Sequence, residues 1–285
     1  MPDIHQERSV EIRSLMRLNP VEVIARAEDR LDVAEDVDSL HQALAEDIAR
    51  EITKSVRARE RLRLILPVGP TGQYPILASE LNRRAVSLEN CSLYFMDEYC
   101  LEDGATVGVD HPLSFRRQAR ELFLDSVDAA LRPRPEQIVF PSEANIASVA
   151  KDILANGGID VCYGGIGIHG HLAFNEPESG VADSDPRRIR LNDFTVTINA
   201  IRAGVGGNIE CFPRYAYTLG MRQILQARRI VLACRNGSPY DWANTVLRLA
   251  LFGRPGDDYP VTHIRNRNYR IITDRDTLAS PKILL

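Results

Sequence analysis

The chain has 285 residues, 44% of them hydrophobic and 26% charged, with a net charge of −4 and a pI near 5.9. That composition supports a substantial core in one large domain or two small ones and excludes wholesale disorder. The acidic balance leaves no footprint for nucleic acid, no apolar run approaches the ~20 residues of a membrane helix, and the start MPDIHQERSVEIRS lacks an export pattern, which points to the cytoplasm.

Residues 1–35 are charged and weakly periodic, and read as a helical extension packing on the body or on a neighbouring subunit, so a homo-oligomer is one possible arrangement. Residues 36–285 read as a single domain. Leu40, Leu44, Ile48, Ile52 and Val56 recur at i+4 as one apolar helix stripe, with Ser39 and Gln42 at capping-box spacing. Leu62–Val68 reads as a buried strand, broken by Gly69, Pro70 and Gly72. A helix over 76–86, a strand over 91–96 and an amphipathic helix over 114–127 follow. A short strand over 138–140, a helix over 144–154 and a strand over 159–163 come next. A strand over 229–234, a helix over 242–252 and a strand over 270–273 complete the pattern. Alternating strands and helices imply parallel pairing, hence an α/β three-layer sandwich around a mainly parallel, Rossmann-like sheet. Cys91, Cys162 and Cys234 fall in strand-like runs, and with Cys100 and Cys211 they read as reduced thiols with neither disulfide nor zinc spacing.

Ligands of open parallel sheets bind beyond the carboxyl ends of strands, a rule that selects three segments. Gly69-Pro70-Thr71-Gly72 lets backbone amides approach an anion ahead of a helix, although a plain strand-to-helix turn accounts for the same residues. No Gly-Lys-Ser/Thr follows, so it is not a Walker loop. Met96-Asp97-Glu98-Tyr99 sets two carboxylates after an apolar strand, where each is either solvated or employed; Asp97 at the tip could serve as a general base. Gly165, Gly167 and Gly170 formally match G-x-G-x-x-G, but Pro177 and Gly180 interrupt the helix that a dinucleotide site needs, so no nicotinamide cofactor is expected. His169 and His171 instead put imidazoles in a tight loop. A metal held by them with His111 or Asp97 is a lesser alternative.

In this order the segments resemble the glucosamine-6-phosphate deaminase (isomerase) family, whose superfamily includes 6-phosphogluconolactonases. The likeness runs from about residue 36 to 276. It rests on Met-Asp-Glu-Tyr at 96–99, His111-Pro112 with Ser114, Gly-His-Leu-Ala-Phe-Asn-Glu-Pro at 170–177, and Pro213-Arg214-Tyr215-Ala216 with Thr218 and Gly220. The Phe-Asn-Glu-Pro ending favours the deaminase branch.

The resemblance implies a catalytic domain that needs no cofactor and acts on a small sugar phosphate, with neither nucleic acid nor membrane as partner. It makes Asp97 the base that moves a proton between C1 and C2, His171 the ring-opening residue and Glu176 its partner. Gly69, Pro70, Thr71 and Gly72 fall to the phosphate, joined by Arg202, fourteen residues after Arg188. Glu98, Gly165, Gly167 and Gly170 are expected around the substrate. Two departures stand out. His169 occupies the place of an aspartate that charge-balances the ring-opening histidine, and two imidazolium charges would repel. The phosphate-binding lysine is missing from the run Arg235 to Trp242, where Arg235 is the available cation, with different geometry. A non-catalytic sugar-phosphate sensor and a lactonase-like hydrolase are the alternative readings.

Overall fold

The computed structural model describes residues 4–237 and 242–284, so Ser238 to Asp241, part of the run that lacks the lysine, lie outside the described residues. Ten strands are present among them: β1 Leu31–Ala34, β2 Leu62–Leu66, β3 Cys91–Phe95, β4 Asp97–Cys100, β5 Ile138–Val139, β6 Val161–Gly165, β7 Arg187–Arg190, β8 Tyr215–Thr218, β9 Arg229–Cys234 and β10 Tyr269–Asp274. Seven form one sheet in the order β1-β10-β9-β6-β2-β3-β5, and all of its pairings are parallel. Strands β2, β3 and β5 step outward one way, whereas β6, β9 and β10 step the other. The order therefore reverses between β2 and β6, which opens a crevice at their carboxyl ends.

Helices cover both faces, as the three-layer reading requires. One face is packed by Val37–Ala58, Gln73–Arg84 and Phe115–Ala119; the other by Val149–Ala155, Met221–Leu225 and Ala243–Phe252. The i+4 stripe explains the first: Leu40, Leu44, Ile48 and Ile52 are all buried, each contributing about 1.5–3 kcal/mol. That helix begins a turn earlier than the Ser39–Gln42 spacing suggests. Asp36 is the cap, its carboxylate accepting the Ser39 amide at 2.8 Å. The amphipathic run from Ser114 is helical only to Ala119 and then widens into a π turn over Arg120–Leu124.

Two features depart from the sequence pattern. Strand β1 arises inside the amino-terminal segment and extends the sheet beside β10, after helices Ile4–Met16 and Pro20–Ala27. A second sheet, β4-β8-β7, is antiparallel and springs directly from the end of β3. Met96 bridges the two sheets: its amide bonds to Leu66 O at 3.0 Å and its carbonyl accepts Leu219 N–H at 2.8 Å. Four cysteines are buried, Cys211 is exposed, and all five are free. No described helix is long and apolar enough to cross a membrane.

Candidate active site

A cavity of about 600 Å³ lies over the carboxyl ends of β9, β6, β2 and β3. Its floor is built from close backbone approach. A Cβ on Gly165, at the end of β6, would stand 2.4 Å from Gly69 O, so only glycine lets the β2 loop cross the end of β6. Gly69, Pro70 and Thr71 line the cavity, as do Gly165 and Gly167. Gly72 does not; it lies beneath the His41 ring, where a Cβ would come within 2.2 Å of Nδ1. Gly170 is likewise outside the lining. It adopts φ +74° and passes under Val261, whose amide donates to its carbonyl at 2.7 Å.

Asp97 is the first residue of β4, 6% exposed, with its side chain in the cavity wall. Burial, seconded by the neighbouring Glu98 charge, pushes its carboxyl up to about 8. Glu98 points the other way because successive strand residues alternate faces. Its carboxylate accepts the amides of Tyr99, Phe115 and Arg116 at 2.9, 2.9 and 2.8 Å and the Ser114 hydroxyl at 3.1 Å. Glu98 is thus an anchor for the turn carrying His111 and Ser114 and does not line the cavity, a correction to its expected place around the substrate. His111 closes that turn by accepting the Leu113 amide at 3.2 Å.

The histidine loop returns on itself through the isolated bridges Ile166–Leu172 and Leu172–Asn175. This folds His171 directly over Gly167, where a Cβ would meet the ring nitrogen Nε2 at 1.9 Å. His171 lines the cavity. Burial, with His169 and Arg202 nearby, holds its pKa well below the ordinary imidazole value, so it is neutral. His169 stands behind it, Nδ1 to Nδ1 at 3.2 Å, and burial lowers its pKa as well. Glu176 is not in the lining. Its carboxylate accepts the Asn192 amide at 2.8 Å at the start of helix Asp193–Arg202, so the partner touching His171 is His169. Donor atoms of His169, His171 and Glu176 do lie within 4.8 Å of one another, the one His/Cys/Asp/Glu cluster of metal-binding dimensions among the described residues, and it includes neither His111 nor Asp97.

Helix Asp193–Arg202, not legible from the sequence pattern, supplies the opposite wall. Asn199 and Arg202 project from one face at i and i+3. Arg202 lies over Trp242 at 5.2 Å, and Arg235 extends from the end of β9 into the same cavity. Burial lowers both guanidinium pKa values, and the Arg235 charge lowers that of Arg202 further. Arg202 keeps solvent contact and Arg235 is half-buried, and the two like charges repel across the cavity until an anion arrives. The remaining wall is aromatic: Tyr99 packs on Phe115, Phe174 and Phe212 at centroid distances of 4.7, 5.5 and 5.6 Å, and its hydroxyl accepts from Asn199 at 3.1 Å. Asn199 and Phe212 escaped the sequence reading, while Tyr99 entered it only within the Met-Asp-Glu-Tyr segment and Phe115 only within the amphipathic run from Ser114, neither with a place at the site. An aromatic residue or an asparagine carries no chemical signature until the fold gathers it.

Residues 35–273 match the model of the family described as glucosamine-6-phosphate isomerases/6-phosphogluconolactonase. The chain belongs to this family. It is similar to a glucosamine-6-phosphate deaminase of Phocaeicola vulgatus, 31% identical over 72% of this chain and 77% of the relative, and to that of Porphyromonas gingivalis, 28% identical over 89% and 94%. A monomeric glucosamine-6-phosphate deaminase shares the fold with TM-score 0.75 and 24% identity, covering 87% of this chain and 98% of the other. A 6-phosphogluconolactonase from Leishmania guyanensis does so with TM-score 0.61 and 17% identity, over 88% and 97%.

Proposed function

We propose that this family enzyme converts an amino-sugar phosphate of the glucosamine 6-phosphate type to a ketose phosphate and ammonia. The observation that carries the reading is a single cavity with the buried Asp97 carboxyl in one wall and the Arg202–Arg235 cation pair in another. The cations, with the amides of the Gly69–Thr71 loop, suit a phosphate dianion. The carboxyl suits a carbon acid beside an amine. A substrate ammonium at C2 would favour the ionised form of Asp97, which burial otherwise suppresses.

On this reading the sugar opens to its linear form beside His171. Asp97 then takes the proton from C2 and returns it to C1 through an enediol-like intermediate. The resulting imine at C2 hydrolyses, and water replaces nitrogen as ammonia leaves. The balance needs no oxidant or reductant.

The test is a panel of 2-amino and 2-hydroxy hexose 6-phosphates, assayed for ammonia and for ketose, beside Asp97→Asn. Amide replacement removes the base while keeping the shape, and turnover should fall by about 10²–10⁴-fold. Unchanged turnover in the variant would take the proton transfer away from Asp97. Tight binding without turnover of any panel member would point to a sensor.

A further inference from the structure

His169 stands where the resemblance expects an acid, and the structure shows what the imidazole does instead. Asn192 is the residue that decides it. Its Oδ1 caps helix Asp193–Arg202 by accepting the Thr195 amide at 2.9 Å. The amide end Nδ2 is therefore the one turned to His169 Nε2, at 2.7 Å, and an amide nitrogen can only donate. Nε2 of His169 must then carry a lone pair. The Thr195 hydroxyl, 3.4 Å from the same nitrogen, is a longer contact, and a hydroxyl can donate to the same lone pair.

A neutral imidazole with its lone pair on Nε2 has its proton on Nδ1. That proton lies between His169 Nδ1 and His171 Nδ1, 3.2 Å apart, so His171 Nδ1 is the acceptor. His171, neutral as well, is left with its proton on Nε2, the nitrogen not engaged by His169, on a ring that lines the cavity. A carboxylate in place of His169 would do the opposite: it can only accept, so it would hold a proton on His171 Nδ1 and turn a lone pair to the substrate.

We infer that Asn192, acting through His169, locks His171 as a neutral Nε2–H donor facing the substrate, so that His171 polarises a substrate oxygen while Asp97 moves the proton, rather than serving as a proton acceptor. Asn192 and His169 are positioning residues in this scheme, and only His171 touches substrate. The same tautomer excludes a metal between the two Nδ1 atoms, because His169 Nδ1 is protonated there. The inference rests on the sugar-phosphate reading for its substrate, but the tautomers themselves belong to the free protein.

The experiment reads the ring nitrogens directly. Protein labelled with ¹⁵N-histidine is examined by long-range ¹H–¹⁵N correlation, alone and as Asn192→Asp and Asn192→Ser. The expected wild-type pattern is a protonated Nε2 on His171 and a protonated Nδ1 on His169. Aspartate at 192 still caps the helix but can only accept, so both histidines should exchange tautomers. Serine keeps the cap and does not reach His169, so both tautomers of His171 should be populated. With an active substrate, Asn192→Asp should lower kcat by about 10²-fold with KM within about threefold, the signature of a donor lost at the transition state. A wild-type His171 protonated on Nδ1, tautomers unmoved by Asn192→Asp, or added Zn²⁺ that shifts both Nδ1 resonances would each overturn the inference. Inactivity towards amino-sugar phosphates would instead count against the proposed reaction and leave the tautomer result intact.

Discussion

Asp97 couples catalysis to pH and to stability in opposite senses. In the folded protein its carboxyl titrates at about 8, against 3.8 when unburied. As a base it must be ionised, so kcat/KM should rise with pH through about 8 and level off above it, and Asp97→Asn should abolish that limb. Stability runs the other way. The folded chain retains a proton that the unfolded chain has released between about pH 4 and 8, so stability falls as pH rises through that window and is flat beyond it. Asp97→Asn removes the penalty. The variant should melt close to wild type at pH 4 and be more stable by roughly a few kcal/mol at pH 8.5, which thermal melts at the two pH values would check. A variant no more stable at pH 8.5 would mean that Asp97 is not strained by burial. Gly167 makes a second claim at this scale. With a Cβ 1.9 Å from His171 Nε2, Gly167→Ala must displace the ring, and turnover should fall about 10²-fold without loss of the helical circular-dichroism signal.

At the scale of elements, the strand ends of the main sheet were legible and the small sheet was not. The runs 62–66, 91–95 and 229–234 are continuously apolar or nearly so, as a parallel sheet buried on both faces requires, and the turn residues after them mark where ligands approach. Strand β7 reads Arg-Arg-Ile-Arg and strand β8 Tyr-Ala-Tyr-Thr; neither shows enough apolar alternation to register, and they pair across more than twenty residues of chain. Because β4 went unseen, the alternation that sends Asp97 and Glu98 to opposite sides went unseen with it. Glu98 shows the consequence. Three of its four accepted bonds tie β4 to the first turn of helix Phe115–Ala119, whose Phe115 forms part of the aromatic wall. Glu98→Gln keeps the volume but turns an amide towards backbone donors, and should cost about 1–3 kcal/mol in denaturant melts. It also removes the charge beside Asp97, so the acidic limb of kcat/KM should move below 8. A melt that drops while the limb stays in place would separate the scaffold role of Glu98 from its electrostatic one.

For the whole molecule, the amino-terminal segment is the clearest case of tertiary context overriding a weak local pattern. Its charged, weakly periodic residues read as a helical arm packing on the body or on a neighbouring subunit. Leu15, Leu18, Val23, Ala27 and Leu31 are buried in one of the two main cores, and β1, which the pattern did not show, adds an edge strand beside β10. The connection reaches the active site. Arg8, 6% exposed, forks onto Asp258 at 2.6 and 2.8 Å; two residues past Tyr259, Val261 bonds to Gly170 O between the paired histidines. Arg248, fully buried, secures the other side by donating to the carbonyls of Leu18 and Leu278 at 3.0 and 3.1 Å. Arg248→Met would leave those carbonyls without a donor and should destabilise the fold by about 2–4 kcal/mol despite the relief of burying no charge. Arg8→Met leaves Asp258 only partly solvated and should cost about 1–3 kcal/mol. If the segment is integral, both variants melt in one transition at lower temperature, and activity is lost along that same curve, because the histidine loop hangs from the same contacts. A biphasic melt, with activity surviving the first step, would instead mark residues 4–30 as an appendage that docks on an independently stable domain.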